Sequence, residues 1–173
     1  VLSCSYAIPD ITLDGREAYQ KYLSSVTVGE ACAADLRKVL QFVNPHKIID
    51  ITWATDDVEQ FICDLAKSDL LYIHGGNGDV LQAKLWPVRT HFARYCREIM
   101  CAGNSAGTNI FSTKYYSNDN QAVCDGFGVL PTATFCHYNA SKWDKLNLLI
   151  QESKNLSVIP LGDEEYIEYD LPV

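Results

Sequence analysis

The sequence has little positive charge. Its 14 lysine and arginine residues stand against 22 aspartate and glutamate residues, which gives a formal net charge of -8 at pH 7. Proteins that bind the nucleic-acid backbone need clustered lysine and arginine to displace its counterions, and no basic stripe is visible here. The sequence also lacks a signal peptide and any apolar run long enough to cross a bilayer. We therefore expect neither a nucleic-acid partner nor a membrane partner.

Metal-binding motifs are missing as well. The sequence contains no C-x-x-C pair and no H-x-x-x-H pair, which are spacings typical of zinc sites, so we expect no metal. Its 7 cysteines are odd in number, scattered, and mostly placed inside apolar runs. This usage indicates reduced, buried thiols rather than a disulfide framework, and it predicts a cytoplasmic location.

What the chain does have is enough apolar material for a core. Hydrophobic residues form 47% and charged residues 21% of its 173 residues, which is the usage of an ordinary globular protein. We therefore expect residues 1–173 to form a single domain. The first and last segments, VLSCSYAIP and EEYIEYDLPV, both have the pattern of a strand. That pattern at both ends indicates a piece of a longer chain.

Short apolar runs alternate with segments of helical spacing. Runs such as LLYI and IMCA show no polar alternation, as expected for strands covered on both faces of a parallel sheet. The expected fold is a three-layer α/β sandwich, with residues 113–132 as a long functional loop. Strands are predicted near residues 1–7, 47–53, 69–74, 98–102, 133–137 and 156–160, and helices in EACAADLRKVLQFV, DDVEQFICDLAK and VLQAKLWPVRTHFARYC, the last interrupted at Pro87.

The segment GNSAG, residues 103–107, fits G-x-S-x-G. In this turn between a strand and a helix, a serine hydroxyl stands clear of the sheet, and glycines flank it because neighbouring backbone leaves no room for a Cβ atom. An ordinary tight turn would use the same small residues, so the motif alone leaves both interpretations open. Its place after REIMCA and before TNIF favours a nucleophile at Ser105.

A serine nucleophile needs a base, and His137 is the best placed of the 4 histidines. It follows the run LPTATFC at the carboxyl end of a predicted strand, where open α/β sheets carry their active-site groups. His46 and His91 are interpreted as surface or packing residues. His74 is interpreted as a packing or loop residue that could also line the site.

A second glycine cluster, LLYIHGGNGDV, also ends a strand and precedes a helix. It is either a tight turn or a source of backbone N–H groups that stabilise an oxyanion. It does not match the dinucleotide fingerprint G-x-G-x-x-G, and it lacks the Lys-Ser/Thr ending of a P-loop. We therefore expect no cofactor.

Four segments occur in this order: YIHGGNGDVL, CAGNSAGTNIF, NDNQAVCDGFGVLPTATFCHYN and IPLGDEEYIEY. Their order and spacing resemble those of the peptidase S51 family, which includes aspartyl dipeptidases and cyanophycinases, and the opening LSCSYAIPD resembles the family's IPYA strand. The resemblance spans roughly residues 1–168. It implies a serine hydrolase on a sheet like that of class I glutamine amidotransferases, with flavodoxin-like topology, in which the family's first strand and last strands are missing.

The resemblance implies Ser105 as nucleophile and His137 as general base. The third member is either Asp119, in SNDN, or Asp125, in CDGFGVLP. We favour Asp119, which aligns with the acid of the dipeptidase TND segment. Asp125 begins a turn, which its carboxylate would cap. With Asp119 as the third member, we expect Asp125 to be a residue of the substrate pocket.

The resemblance also implies an oxyanion hole formed by Gly76 and the backbone N–H of Ala106, with Gly75 and Asn77 shaping it. Glu164, in the segment that resembles the family's LPEG, is expected either to line the substrate pocket or to be a solvated acid at a strand end.

Two departures from the family concern the substrate. Asn104 stands where the family often has an aromatic residue, and STKYYSND contains no counterpart of the dipeptidase arginine. Lys114 or Tyr116 would take its place in substrate binding. A lysine cannot copy the bidentate grip of an arginine on a carboxylate, which weakens the case for a substrate that must begin with aspartate.

The expected function is hydrolysis of small peptides through an acyl-enzyme, by a serine dipeptidase that prefers N-terminal aspartate. Two alternatives stay open. One is an esterase of the α/β-hydrolase type, whose Ser, acid, His order is also met, and the other is an inactive binding protein on the same scaffold. The protein is expected to be a monomer or a homodimer, with a small peptide as its partner.

Overall fold

A computed structural model of the chain describes residues 1–4, 51–55 and 57–170. The strands among these residues are β1 (Leu2–Cys4), β2 (Thr52–Trp53), β3 (Leu70–Ile73), β4 (Met100–Gly103), β5 (Ser112–Ser117), β6 (Ala122–Asp125), β7 (Leu130–Cys136) and β8 (Ser157–Leu161). The helices are α1 (Val58–Leu65), α2 (Gly78–Leu85), α3 (Arg89–Tyr95), α4 (Ala106–Phe111) and α5 (Trp143–Glu152), with 3₁₀ turns at Trp86–Val88 and Ala140–Lys142.

These strands form two four-stranded sheets. The first has the order β2-β1-β3-β4, and all of its neighbours are parallel. The second has the order β6-β5-β7-β8, in which only the β5 and β6 pair is antiparallel. Helix α4 contacts β3 and β4 of the first sheet and β5 and β7 of the second. The predicted α/β fold with mostly parallel strands is confirmed.

The helices begin and end where the local chemistry requires it. Asp57 caps α1, because its carboxylate accepts hydrogen bonds from the backbone N–H groups of Glu59 and Gln60. The long helical pattern after Gly78 is divided at Pro87, as the sequence predicts, because proline has no N–H to donate within a helix.

The main hydrophobic core lies between the first sheet and helices α1 to α4. Its largest fully buried side chains include Phe61, Phe92 and Leu71, and the ring of Phe92 stacks on that of Phe111 at a centroid distance of 5.8 Å. A smaller cluster joins α5 to the second sheet; its buried residues are Tyr116, Ala133, Phe135, Leu146 and Leu149. Helix α4, which carries the serine turn at its start, thus packs in the main core.

Two sequence predictions about secondary structure are wrong. Residues 113–132, expected to be a loop, contain most of β5, all of β6 and the start of β7. The polar turn at residues 118–121 is the tip of a β-hairpin, and its Asn and Asp residues hid the two strands that it joins. Of the segment EEYIEYDLPV, residues 164–173, which was expected to close as a strand, the described residues 164–170 lie outside both sheets. The helix predicted in EACAADLRKVLQFV lies outside the described residues.

Candidate active site

The serine turn has the strained backbone of a nucleophile elbow. Strand β4 ends at Gly103, helix α4 begins at Ala106, and Ser105 between them has φ 52° and ψ -111°. A left-handed φ is uncommon for a residue other than glycine. A Cβ atom on Gly107 would lie 2.2 Å from the backbone oxygen of Ile73, so close packing of α4 against β3 requires this glycine.

His137 lies against this serine. It directly follows β7, and its Nε2 is 2.9 Å from the Oγ of Ser105. On its other side, its Nδ1 is 2.7 Å from the Oδ1 of Asp163. Both distances are those of hydrogen bonds. The side chain of His137 is 50% exposed and that of Asp163 is 79% exposed, so the three residues form an open site at the surface.

The acid beside His137 differs from both acids that the sequence predicted. Asp163 follows β8, which is the neighbour of β7 and pairs Leu161 with Cys136. The residues just beyond these two strand ends therefore meet at the same edge of the sheet, because parallel strands carry their carboxyl ends together. The sequence carries a signal for this acid in LGDEE, which follows the predicted strand at 156–160, although the family resemblance points there to Glu164.

The two predicted acids have other surroundings. Asp119 is exposed in the turn at residues 118–121. The carboxylate of Asp125 forms an ion pair with Lys114, with 2.8 Å between Oδ1 and Nζ. The preference for Asp119 over Asp125 is therefore corrected on geometric grounds, because the acid in contact with the His137 ring is Asp163.

The glycine cluster lies beside the nucleophile. A Cβ atom built on Gly75 would lie 3.1 Å from the Cβ of Ser105. Gly76 has φ 141°, a conformation that suits glycine, and Ala106 is the buried first residue of α4. Asn77 caps α2, since its side chain accepts hydrogen bonds from the N–H groups at the start of that helix. Gly75 and Ala106 thus adjoin Ser105, and Gly76 and Asn77 follow Gly75 in the turn that Asn77 caps before α2.

The residues predicted to bind substrate are dispersed. Lys114 lies on β5 opposite Ala133, three residues before β5 ends, and the hydrogen bond that its ammonium group donates to Asp125 raises the pKa of that group. Tyr116 is a buried core residue whose ring packs 4.6 Å from that of Phe135, and desolvation raises its pKa. Glu164 is exposed next to Asp163, at φ 67°. Glu164 is thus the chain neighbour of Asp163, whereas Lys114 pairs with Asp125 and Tyr116 packs in the smaller hydrophobic cluster.

A buried polar network that sequence reasoning missed connects α4 to β7. The hydroxyl of Thr134 donates to the Oδ1 of Asn109 at 3.0 Å, and the Sγ of Cys136 lies 3.3 Å from the same oxygen. The Cys136 Sγ is also 3.6 Å from the backbone oxygen of Ser105, and burial raises the pKa of this thiol to about 12. The network links the element that carries the nucleophile to the element that carries the histidine.

Within residues 1–4, 51–55 and 57–170, no three His, Cys, Asp or Glu side chains come together so as to hold a metal ion. His74 is buried, with its Nε2 2.7 Å from the Oγ of Ser3. Among the same residues, no helix has the length and apolar composition needed to span a membrane.

The structure is similar to those of two crystallised peptidases. A candidate peptidase E protein from Listeria monocytogenes EGD-e superposes with a TM-score of 0.59 at 15% sequence identity, over 99% of this chain and 85% of that one. A peptidase from an acI-B1 Actinobacterium superposes with a TM-score of 0.56 at 16% identity, over 93% of this chain and 66% of that one. At these identities the likeness concerns the fold alone.

Sequence comparison identifies the family. No curated protein gives a significant match to the chain. The profile of peptidase family S51, in contrast, matches residues 24–170, which is most of the sequence. Both structural relatives are described as peptidases, and the resemblance first seen in four short segments extends along nearly the whole chain. The chain therefore belongs to peptidase family S51.

Proposed function

We propose that this chain is a serine peptidase that cleaves small peptides, as a dipeptidase, through an acyl-enzyme on Ser105. One observation carries the proposal: the Ser105 Oγ and the Asp163 Oδ1 lie 2.9 Å and 2.7 Å from the two nitrogens of the same imidazole ring. This is the arrangement in which a base, itself oriented by a third group, activates a hydroxyl nucleophile.

The mechanism follows from the direction of the hydrogen bonds. A neutral His137 that carries its proton on Nδ1 donates to Asp163 and accepts the Ser105 proton at Nε2. The Oγ of Ser105 then bonds to the scissile carbonyl carbon, and the imidazolium returns its proton to the departing amine. In the second half of the cycle, His137 takes a proton from a water molecule whose oxygen attacks the acyl carbon. It then returns that proton to the Ser105 Oγ as the bond between the acyl carbon and Oγ breaks and the carboxylic acid product leaves.

The tetrahedral intermediate needs hydrogen-bond donors for its oxyanion. The backbone N–H groups of Gly76 and Ala106 are our assignment, and it is supported by the 3.1 Å approach of a Cβ built on Gly75 to the Cβ of Ser105. Loss of one donor from such a hole typically lowers turnover by about 10² to 10³.

The choice of substrate rests on the family resemblance, which implies dipeptides with N-terminal aspartate. The side chain of Lys114 does not support that preference, because its ammonium group is already paired with Asp125. In the described part of the chain the arginines are confined to α3 and the turn after it, at residues 89, 94 and 97. A substrate panel must therefore compare aspartate with neutral and basic residues at the first position.

The proposal is tested with purified protein and a panel of dipeptides led by Asp-X, alongside a p-nitrophenyl ester. The wild-type protein should cleave dipeptides and bind a fluorophosphonate probe covalently at Ser105, located by peptide mass spectrometry. Ser105→Ala should lose both properties by several orders of magnitude.

Each other outcome contradicts the proposal in a recognisable way. Cleavage of the ester without any dipeptide would favour an esterase. A folded wild-type protein that does not react with the probe would favour a binding protein. Equal hydrolysis by wild type and Ser105→Ala would exclude Ser105 as the nucleophile.

A further inference from the structure

The backbone at His137 has a conformation that its own residue type does not favour. His137 has φ 60°, in the left-handed region, directly after the end of β7. Such a conformation persists only where the surroundings hold it. The imidazole direction depends on this backbone, since a rotation about φ or ψ at residue 137 would carry the ring away from Ser105.

Two side chains from other elements hold the carbonyl groups on either side of this residue. The Nδ2 of Asn118, in the β5–β6 turn, donates to the carbonyl oxygen of Cys136 at 3.0 Å. The ammonium group of Lys142, in the 3₁₀ turn before α5, donates to the carbonyl oxygen of His137. The same ammonium group lies 3.3 Å from the Oδ1 of Asn118, so the two side chains also bind each other.

These contacts act where the pairing of β7 with β8 ends. The β7 and β8 ladder ends at the pair Cys136 and Leu161, and the next backbone contact is the hydrogen bond from the Tyr138 N–H to the Leu161 oxygen. The peptide group between residues 137 and 138 is thus fixed on its N–H side by β8 and on its carbonyl side by Lys142. A hydrogen bond from a charged donor is about twice as strong as a neutral one, which suits it to holding a strained residue.

We propose that Asn118 and Lys142 form a clamp that positions His137 for proton transfer with Ser105. The proposal rests on the proposed serine mechanism, and it assigns neither residue a contact with the substrate. Asn118 and Lys142 are positioning residues, which act through the orientation of the His137 ring. The SNDN segment thereby acquires a role through its first asparagine rather than through Asp119.

The test compares Lys142→Met, Asn118→Ala and Lys142→Arg with wild type. Lys145→Met is the matched control, because Lys145 lies one turn along the chain and bonds the side chain of Gln121 in the same hairpin tip. The clamp predicts that Lys142→Met lowers kcat by about 10- to 100-fold with KM within about threefold, because a misplaced base costs rate rather than binding. Lys142→Arg should recover most of the rate, and Lys145→Met should remain at the wild-type value.

A second readout does not depend on activity. In wild type the proton on His137 Nδ1, which is hydrogen-bonded to Asp163, should give a strongly downfield ¹H NMR signal. Lys142→Met and Asn118→Ala should broaden or shift this signal, and Lys145→Met should leave it in place. The double variant should lose no more rate than the worse single variant, because the two residues act as a unit.

The outcomes distinguish a failure of the clamp proposal from a failure of the proposed serine mechanism. A wild-type protein without dipeptidase activity or probe labelling would overturn the proposed function, and the NMR signal would then test the clamp alone. An active wild type whose Lys142→Met variant keeps both its kcat and its downfield signal would overturn the clamp. Equal losses in Lys142→Met and Lys145→Met would also overturn it, since they would indicate a general effect on the fold.

Discussion

At the scale of single residues, the site depends on two residues with positive φ values and on glycines that leave room for the neighbouring backbone. Ser105 and His137 both have positive φ values, and glycines take the positions at which the backbones of β3, β4 and α4 approach one another. The sequence predicted the glycines on either side of Ser105, because G-x-S-x-G expresses a steric requirement that does not depend on the rest of the fold.

Gly107→Ala should destabilise the protein, because its Cβ would lie 2.2 Å from the backbone oxygen of Ile73. Overpacking of this kind typically costs about 1 to 3 kcal/mol, and the shift of α4 should also abolish labelling of Ser105. Chemical denaturation measures the first effect. The control is Gly78→Ala, whose Cβ would meet the Tyr115 hydroxyl at 3.3 Å and which should unfold at nearly the wild-type denaturant concentration.

Cys136 should be chemically inert in the native protein, although it adjoins His137. Its pKa is raised to about 12 by burial, so the thiol keeps its proton at neutral pH, and its thiolate fraction grows only as the pH rises towards that value. Iodoacetamide at pH 8 followed by peptide mass spectrometry should label the exposed Cys63 and spare Cys136. Equal labelling of the two cysteines would contradict this account of the site.

At the scale of elements, the distance between Ser105 and His137 is set by the contact of α4 with β7. That contact is polar: Asn109 on α4 binds Thr134 and Cys136 on β7, and the hydroxyl of Thr134 is also 3.0 Å from that of Ser112. All of these side chains are buried, so each depends on the others for its hydrogen bonds.

Thr134→Val keeps the shape of the side chain and removes its hydroxyl. The change should cost about 1 to 3 kcal/mol of unfolding free energy, because it removes one hydrogen bond from each of two buried partners, Asn109 and Ser112, and it should lower kcat as α4 shifts against β7. Thr113→Val is the control, since the Thr113 hydroxyl binds the Leu130 oxygen outside this network. A Thr134→Val protein as stable as Thr113→Val would show that the network does not couple the two elements.

The sequence predicted elements with strong apolar periodicity and missed those without it. Local sequence pattern predicted three features: the turn after β4, the interruption of the helical segment at Pro87 and the end of β7 just before His137. Local pattern did not predict the hairpin of β5 and β6, because its polar residues form tertiary contacts such as that of Asn118 with the Cys136 oxygen. Such contacts depend on how distant elements pack, which local patterns do not encode.

At the scale of the whole molecule, the site forms where the two sheets meet across α4. Ser105 follows β4 of the first sheet, and His137 and Asp163 follow β7 and β8 of the second. The identity of the acid is a consequence of strand order, since β8 is the neighbour of β7. Strand order cannot be read from a single sequence. The sequence therefore predicted Asp119 or Asp125 as the acid beside His137 and did not predict Asp163.

An exposed acid of this kind should serve catalysis rather than folding. The Asp163 side chain is 79% exposed, and exposed ion pairs contribute little to stability. Asp163→Asn should therefore unfold at the same temperature as wild type while its activity falls. A melting temperature several degrees lower would indicate a structural role instead.

The most direct test of the catalytic arrangement is the rate at which a fluorophosphonate probe labels Ser105 in wild type, Asp163→Asn and Asp119→Asn, because this rate requires no knowledge of the substrate. The account predicts that Asp163→Asn labels roughly 10²- to 10⁴-fold more slowly than wild type and that Asp119→Asn stays within about tenfold. Labelling that is slow in Asp119→Asn and unchanged in Asp163→Asn would contradict it.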